Sequence, residues 1–373
     1  MRQVSNIPFL DLKALNGRFK DDFLAATSRV LERGWFIQGE EVRLFEQEFA
    51  DYCGTRHGIG VGNGLDAIAL VLRSLLELQR LAPGDEVLVP GNTFIATALA
   101  VTGTGLALKL VEPETERFNL DPDAVERAIG PHTRAILAVH LYGRLADMER
   151  LREIARRHEL LLIEDAAQAH GASLNGRKAG NWGVAAAFSL FPGKPLGALG
   201  DAGIITTDDD ELAECLRSLR NYGSRVKYLH ERVGVNSRLD ELQAAFLRIK
   251  LRALDTDNSE RDVIARRYCE EIRNPRLQLP SLPQSGETHA WHLFVIRCEQ
   301  RDRLRDHLLA NGIETLIHYP LPIHRQPAYE TLSSLELPIT EALSESVLSL
   351  PIYPGLSPND CDSIIAACNA FSG

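Results

Sequence analysis

Between residues 55 and 207 the chain alternates short apolar runs with amphipathic stretches, and this alternation restricts the fold more than any other feature. HGIGV, EVLVP, ALKLVE, RAILAVHLYG and ELLLIED read as strands, whereas LDAIALVLRSLLELQRL, DPDAVERAI and MERLREIARRH read as helices. Strands and helices in turn predict a parallel sheet with helical crossovers, the α/β class. The strand runs are apolar throughout, as expected for a sheet covered on both faces. Ligands on such sheets sit at the carboxyl ends of strands, which directs attention to Asn63-Gly64, Asn92-Thr93, His140 to Gly143 and Glu164-Asp165.

After Thr207 the pattern changes. A helix DELAECLRSLRNYG closes at Gly223, and a long helical pattern is expected over roughly 237 to 273. Beyond Pro275 lies a smaller unit. It holds a strand-like WHLFVIRC, a helix over 301 to 311 stopped by Gly312, and a last helix opened by Ser357-Pro358 with Asp360 as part of its cap. The expected division is a large domain over 1–254, including the amino-terminal segment, and a small α+β domain over 255–373.

A chain of 373 residues, 45% hydrophobic and 25% charged, has the composition of a globular protein. Its net charge of -10 and lack of a basic block argue against a nucleic-acid surface. The start, MRQVSNIPFLDLKALNGRFKDDF, lacks the features of a secretory signal, and no apolar run is long enough to span a bilayer. A cytoplasmic protein is expected, with no membrane association. The six cysteines form no C-x-x-C pair, so no metal site is suggested, and they are expected to act as small buried hydrophobes.

Three stretches carry the chemistry. In FSLFPGKPLGALGDAGIITT, Lys194 stands among prolines and glycines between two strand-like runs. An amine in apolar surroundings loses part of its preference for the charged form, as a Schiff-base lysine requires; a turn lysine with its head in water is the plainer alternative. Lys13, Lys20, Lys178 and Lys250 lie in polar or amphipathic settings expected to be solvated. In EDAAQAHGA two acids end an apolar strand, where a bare carboxylate is costly. Asp165 suits the pyridine nitrogen of a pyridoxal phosphate and Gln168 its ring oxygen, although a capped strand end would read the same. In GVGNGLDAIAL the dinucleotide fingerprint fails, leaving a Gly-Asn-Gly turn that opens a helix near Leu65, a place for one phosphate.

With these residues in hand, the sequence resembles the sugar aminotransferases of the DegT/DnrJ/EryC1 family over nearly its whole length. The resemblance rests on IPFLDL, RGWFIQGEEVRLFEQEFADYCG, NTFIATALAV, VHLYG, IEDAAQAHGA, FSLFPGKPLGALGD, GVNSRLDELQAA, HYPLPIHRQPAY and LSLPIYPGLS. It implies the aspartate aminotransferase fold (fold type I), with a mostly parallel seven-stranded sheet, a small carboxyl-terminal domain and a homodimer with shared active sites. It implies pyridoxal 5'-phosphate as cofactor, held covalently by Lys194. Asp165 would meet the pyridine nitrogen and Gln168 the ring oxygen. Gly64, Leu65 and Ser189 would hold the phosphate, and Phe94 would stack on the ring. Asn236 would reach the phosphate from the partner subunit, and His318 and Tyr319 would line the sugar-nucleotide pocket.

GVGNGLDA, RNYGS, Lys227-Tyr228 and GVNSRLDELQAAFLRIKL look most like enzymes that aminate carbon 3 of dTDP-linked 3-keto-6-deoxyhexoses with L-glutamate, which leaves as 2-oxoglutarate. A 4-keto or UDP-linked sugar is the alternative. A dehydratase of this fold would carry histidine at 194, and a catalytically inactive cofactor-binding regulator is the reading from another class. The family's frequent Tyr three residues before the lysine is Phe191 here, the residue after the lysine is Pro195, and the usual G-D-G-G reads Gly200-Asp201-Ala202-Gly203.

Overall fold

The computed structural model describes residues 6–373; residues 1–5, where the amino-terminal reading began, lie outside the described residues. Seven strands form the central sheet: β1 (His57–Val61), β2 (Glu86–Pro90), β3 (Ala107–Val111), β4 (Thr133–Val139), β5 (Leu161–Asp165), β6 (Ala185–Ser189) and β7 (Gly203–Thr207). They lie in the order β1-β7-β6-β5-β4-β2-β3. The β3–β2, β2–β4, β4–β5 and β5–β6 pairs are parallel, whereas β7 runs antiparallel to both its neighbours. The reversal has a local cause. A parallel return needs a crossover of a dozen or more residues, usually a helix, and residues 190–202 contain none.

Alternate residues feed two cores. Ile136 and Ala138 of β4 point into one, Ala135 and Leu137 into the other, and all four are fully buried. This double covering is why the strands read as continuous apolar runs. On one side β1 leads through Gly62 and Asn63 into α1 (Gly64–Glu77), whose apolar positions Ala67, Ile68, Val71 and Leu75 pack on the sheet. Asn63 caps this helix by accepting the Asp66 N–H at 2.8 Å. A second crossover helix, α2 (Ile95–Gly103), follows β2.

The helical pattern over 237–273 is two helices, α3 (Glu241–Leu251) and α4 (Leu254–Glu271). Asn236 bridges Asn221 in extended form, so the first begins only after Asp240, and the chain tightens at Ala253, whose N–H reaches Lys250 O at 3.0 Å. Leu254 packs into the sheet core, while Ile264, Ala265 and Tyr268 enter another core. That core gathers the antiparallel pair β8 (Phe294–Arg297) and β9 (Val347–Leu350) with α5 (Arg301–Ala310) and α6 (Pro358–Ala370). Burying one side chain such as Phe294 contributes about 1.5–3 kcal/mol. Ile7 joins this core as well: its N–H donates to Gly312 O at 2.7 Å and its carbonyl accepts from Glu314 N at 3.0 Å. Five of the six cysteines are buried, and Cys269 is half-buried.

Candidate active site

The carboxyl ends of β5 and β6 open into a cleft of about 950 Å³. Nine of the ten residues singled out from the sequence line it: Gly64, Leu65, Phe94, Asp165, Gln168, Ser189, Lys194, His318 and Tyr319. Asn236 is the exception. It is exposed and lies outside the cleft of its own chain.

Lys194 sits on the link between β6 and β7. The link folds back on itself, with Lys194 N–H donating to Phe191 O at 2.9 Å and Ala198 N–H to Leu190 O at 2.8 Å. Gly197 allows the return: a Cβ there would lie 2.3 Å from Pro192 O. Half-buried at the cleft wall, the Lys194 amine makes no hydrogen bond to a described residue. Burial draws its pKa down to about 8, and Asp165 pulls the other way. At neutral pH a useful fraction of such an amine is uncharged, so it is a nucleophile and a proton carrier.

Successive side chains of a strand face opposite ways, and β5 uses this to separate its two acids. Glu164 turns away from the cleft, fully buried, and accepts four hydrogen bonds: from His140 Nε2 at 3.0 Å, Gly180 N at 2.9 Å, Trp182 N at 2.7 Å and Gly183 N at 2.9 Å. His140 Nδ1 accepts from Ala146 N, which leaves Nε2 as the donor. Burial alone would raise the Glu164 pKa, but His140 and the amides hold it below the usual value.

Asp165 faces the cleft with fewer donors, Thr97 Oγ1 at 2.8 Å and Ala167 N at 3.2 Å. Burial lifts its pKa, only partly opposed by Thr97, Ala167 and Lys194. Its ionised form therefore has no charged donor bonded to it among the described residues, and a protonated ring nitrogen would supply one.

The other contacts also suit pyridoxal phosphate. The first N–H groups of α1 have no partner within the helix. Gly64 lets that helix end approach Ser189 closely, since a Cβ on it would lie 2.6 Å from Ser189 Cβ. Two amides, a hydroxyl and a positive helix end make a cradle for one phosphate. Phe94, 49% exposed, offers its ring to the cleft beside Tyr319, the ring centres 5.2 Å apart. Gln168 is pinned on both sides. Its Oε1 accepts from Tyr142 N at 2.7 Å, and its Nε2 donates to the Tyr319 hydroxyl at 3.2 Å, which leaves one N–H for a ring oxygen. The donor set and the cradle fit the cofactor.

His318 is held by Ser349 Oγ at 2.8 Å, and burial with the nearby Lys194 lowers its pKa to about 4. Sequence reasoning gave no role to Thr97, three residues after Phe94 within the NTFIATALAV stretch, or to the wall formed by His292, Leu309 and Leu316. It also misplaced Lys250. That residue is only 9% exposed, because it sits on the face of α3 turned toward the lysine loop and its amine bonds there.

The DegT/DnrJ/EryC1/StrS aminotransferase family model matches residues 18–369. A relative named dTDP-3-amino-3,4,6-trideoxy-alpha-D-glucose transaminase, from Streptomyces venezuelae, is 51% identical, covering 99% of this chain and 97% of its own. The crystal structure of S. venezuelae DesV in complex with a ketimine intermediate superposes with a TM-score of 0.94 at 50% identity, covering 98% of each chain. That of ntda from Bacillus subtilis with bound cofactor PMP gives 0.91 at 33% identity, covering 98% of this chain and 85% of the other.

Proposed function

The chain belongs to the DegT/DnrJ/EryC1/StrS aminotransferase family and is a pyridoxal-phosphate-dependent aminotransferase, and on that premise we propose that it carries the amino group of L-glutamate to carbon 3 of a dTDP-linked 3-keto-6-deoxyhexose. The observation that carries the reading is an unpartnered amine, Lys194, sharing a cleft with a donor-poor carboxylate, Asp165. The choice of carbon 3 is supported by the 51% identical relative, whose name specifies a 3-amino sugar.

When bound, pyridoxal phosphate supplies a ring that draws electrons from the substrate carbon and keeps the amino group between the two halves of the reaction. The residues supply the rest. Asp165 accepts the N–H of the ring nitrogen and keeps it protonated. Gln168 donates its free N–H to the ring oxygen, the Gly64 and Leu65 amides with Ser189 Oγ hold the phosphate, and Phe94 covers one face. Lys194 Nζ would take the proton from the glutamate Cα in the first half of the reaction and would supply one to the sugar carbon in the second. His318, neutral at physiological pH, and Tyr319 border the space for the hexose. Glutamate and keto sugar become 2-oxoglutarate and amino sugar, with no outside oxidant.

A diphosphate needs cations that the described residues of one chain do not offer at the cleft. Among the described residues the cleft holds Lys194 and Arg305 against Asp165, Asp201 and Glu314, and Arg305 is already bound to Asp306 at 3.0 Å. We therefore infer a homodimer in which Asn236 and the exposed Lys227 of one copy reach the cleft of the other. No helix among the described residues is long and apolar enough to cross a membrane, and we place the enzyme in the cytoplasm, which cell fractionation checks.

The test is release of 2-oxoglutarate from L-glutamate by the cofactor-loaded protein, then formation of dTDP-3-amino sugar by mass spectrometry. Release without amino sugar moves the search to 4-keto or UDP-linked sugars, and no release makes the protein a cofactor-binding regulator. Lys194→Ala is expected to abolish both halves. Mixing it with Asn236→Ala is expected to restore about a quarter of the sites, because half the dimers are mixed and each mixed dimer has one intact site.

A further inference from the structure

One face of α3 lies against the return limb of the lysine loop. Gln243 and Lys250 are seven residues apart, two helical turns, so their side chains share that face. Gln243 Oε1 accepts the Leu199 N–H at 2.8 Å. Lys250 Nζ donates to Gly197 O at 2.5 Å and to Asn16 Oδ1 at 3.0 Å, while Asn16 is itself turned by its Nδ2 donating to Leu12 O at 2.8 Å.

Lys250 is an expensive choice for a merely structural place. It is buried with Arg18 and Arg261 nearby, and the neighbouring acid, Asp257, is taken by Arg18. Desolvation first, and Arg18 second, lower its pKa to about 8. An apolar side chain would fill the same volume without burying an ammonium, but it would leave the Gly197 carbonyl without this partner. Other contacts hold the two ends of the loop, with Ala198 N–H on Leu190 O and Leu196 and Ala198 buried in the sheet core, but Gly197 must stay glycine to pass Pro192 O, and Lys194 itself makes only a backbone bond to Phe191.

We propose that Gln243 and Lys250 are positioning residues for Lys194: two contacts from one helix face fix the return limb of its loop, and so fix where the Lys194 amine stands relative to Asp165. The proposal rests on reading Lys194 as the reacting amine, so its first readout is independent of activity.

Amide hydrogen exchange is followed in the full chain, with and without pyridoxal phosphate, for Lys250→Met, Lys250→Gln and Gln243→Leu. Lys250→Met is expected to speed exchange at Lys194 and Ala198 about tenfold while the amides of residues 68–75 stay unchanged. Lys250→Gln keeps an N–H for Gly197 O and is expected to stay near wild type. Gln243→Leu carries the same prediction at Ala198 and supplies the test should the methionine variant not fold. In the loaded enzyme, kcat for glutamate is expected to fall about tenfold at unchanged KM. Exchange at 190–200 within twofold of wild type, faster exchange throughout the chain, or a glutamine variant as impaired as methionine would overturn the proposal. A loosened loop in a protein that turns over without Lys194 would instead overturn the reading of the reacting amine.

Discussion

Glu164 and Asp165 are neighbours on one strand, and the two sides of the sheet treat them in opposite ways. Glu164 faces inward and has four donors, with its pKa held low. Asp165 faces the cleft, has two donors and has its pKa raised. Both are buried carboxylates, and burial is the largest single influence on each. The difference lies in the donors: the side that only holds the fold completes its charge internally, whereas the side that works leaves room for a group that is not part of the chain.

The most severe way to break this contrast is Asp165→Asn. It is expected to cut turnover about a thousandfold, as loss of a placed charge at a reacting centre does, while the unfolding midpoint stays level or rises. Steady-state kinetics beside thermal unfolding checks it. Glu164→Gln should do the reverse, lowering stability by about 3 kcal/mol through a broken buried network and leaving kcat within a few-fold, as denaturant unfolding and the same kinetics would reveal. The folded-state pKa of Glu164 is depressed, so its contribution is present above the ordinary value of 4.5 and is lost as pH falls through the lowered one. The stability gap between wild type and Glu164→Gln should therefore narrow in acid.

A pH series sharpens the working side. With Lys194 near 8, the rate at which the cofactor-free protein takes up pyridoxal phosphate should rise about tenfold per pH unit below that value and level off above it, as stopped-flow absorbance would show. The smallest effect belongs to Thr97→Val. Losing one donor to Asp165 costs about 1 kcal/mol, seen as a several-fold fall in kcat and a further upward shift of the acid limb of the pH profile.

Much of this was legible in the residues themselves. Fully apolar strand runs announced a doubly covered sheet, and Lys194 stood out because its neighbours carry so little polarity. The reversed β7 was also encoded, as the missing amphipathic stretch between AAFSLF and GIITT. Other parts depend on contacts between distant segments. Lys250 follows a helical pattern that looks solvated, and only its packing against residue 197 shows otherwise. Thr97 matters through Asp165, 68 residues away. Asn236 bridges Asn221 but lies outside the cleft of its own chain, a placement that periodicity has no means of expressing.

The cleft takes its walls from segments far apart in the chain: Phe9 and Leu10 on one side, Leu316, His318 and Tyr319 on the other, with Ile7 stitched to Gly312 and Glu314. During synthesis the first of these residues leaves the ribosome long before the last. At roughly 5–20 residues per second the wait is about 15–60 s. Only in its last third, once Lys194 has emerged, are the residues of the cradle and lysine loop all made, still without the segment that walls them, and the opening segment waits throughout for a bridge partner, Ile313, that has not yet been made.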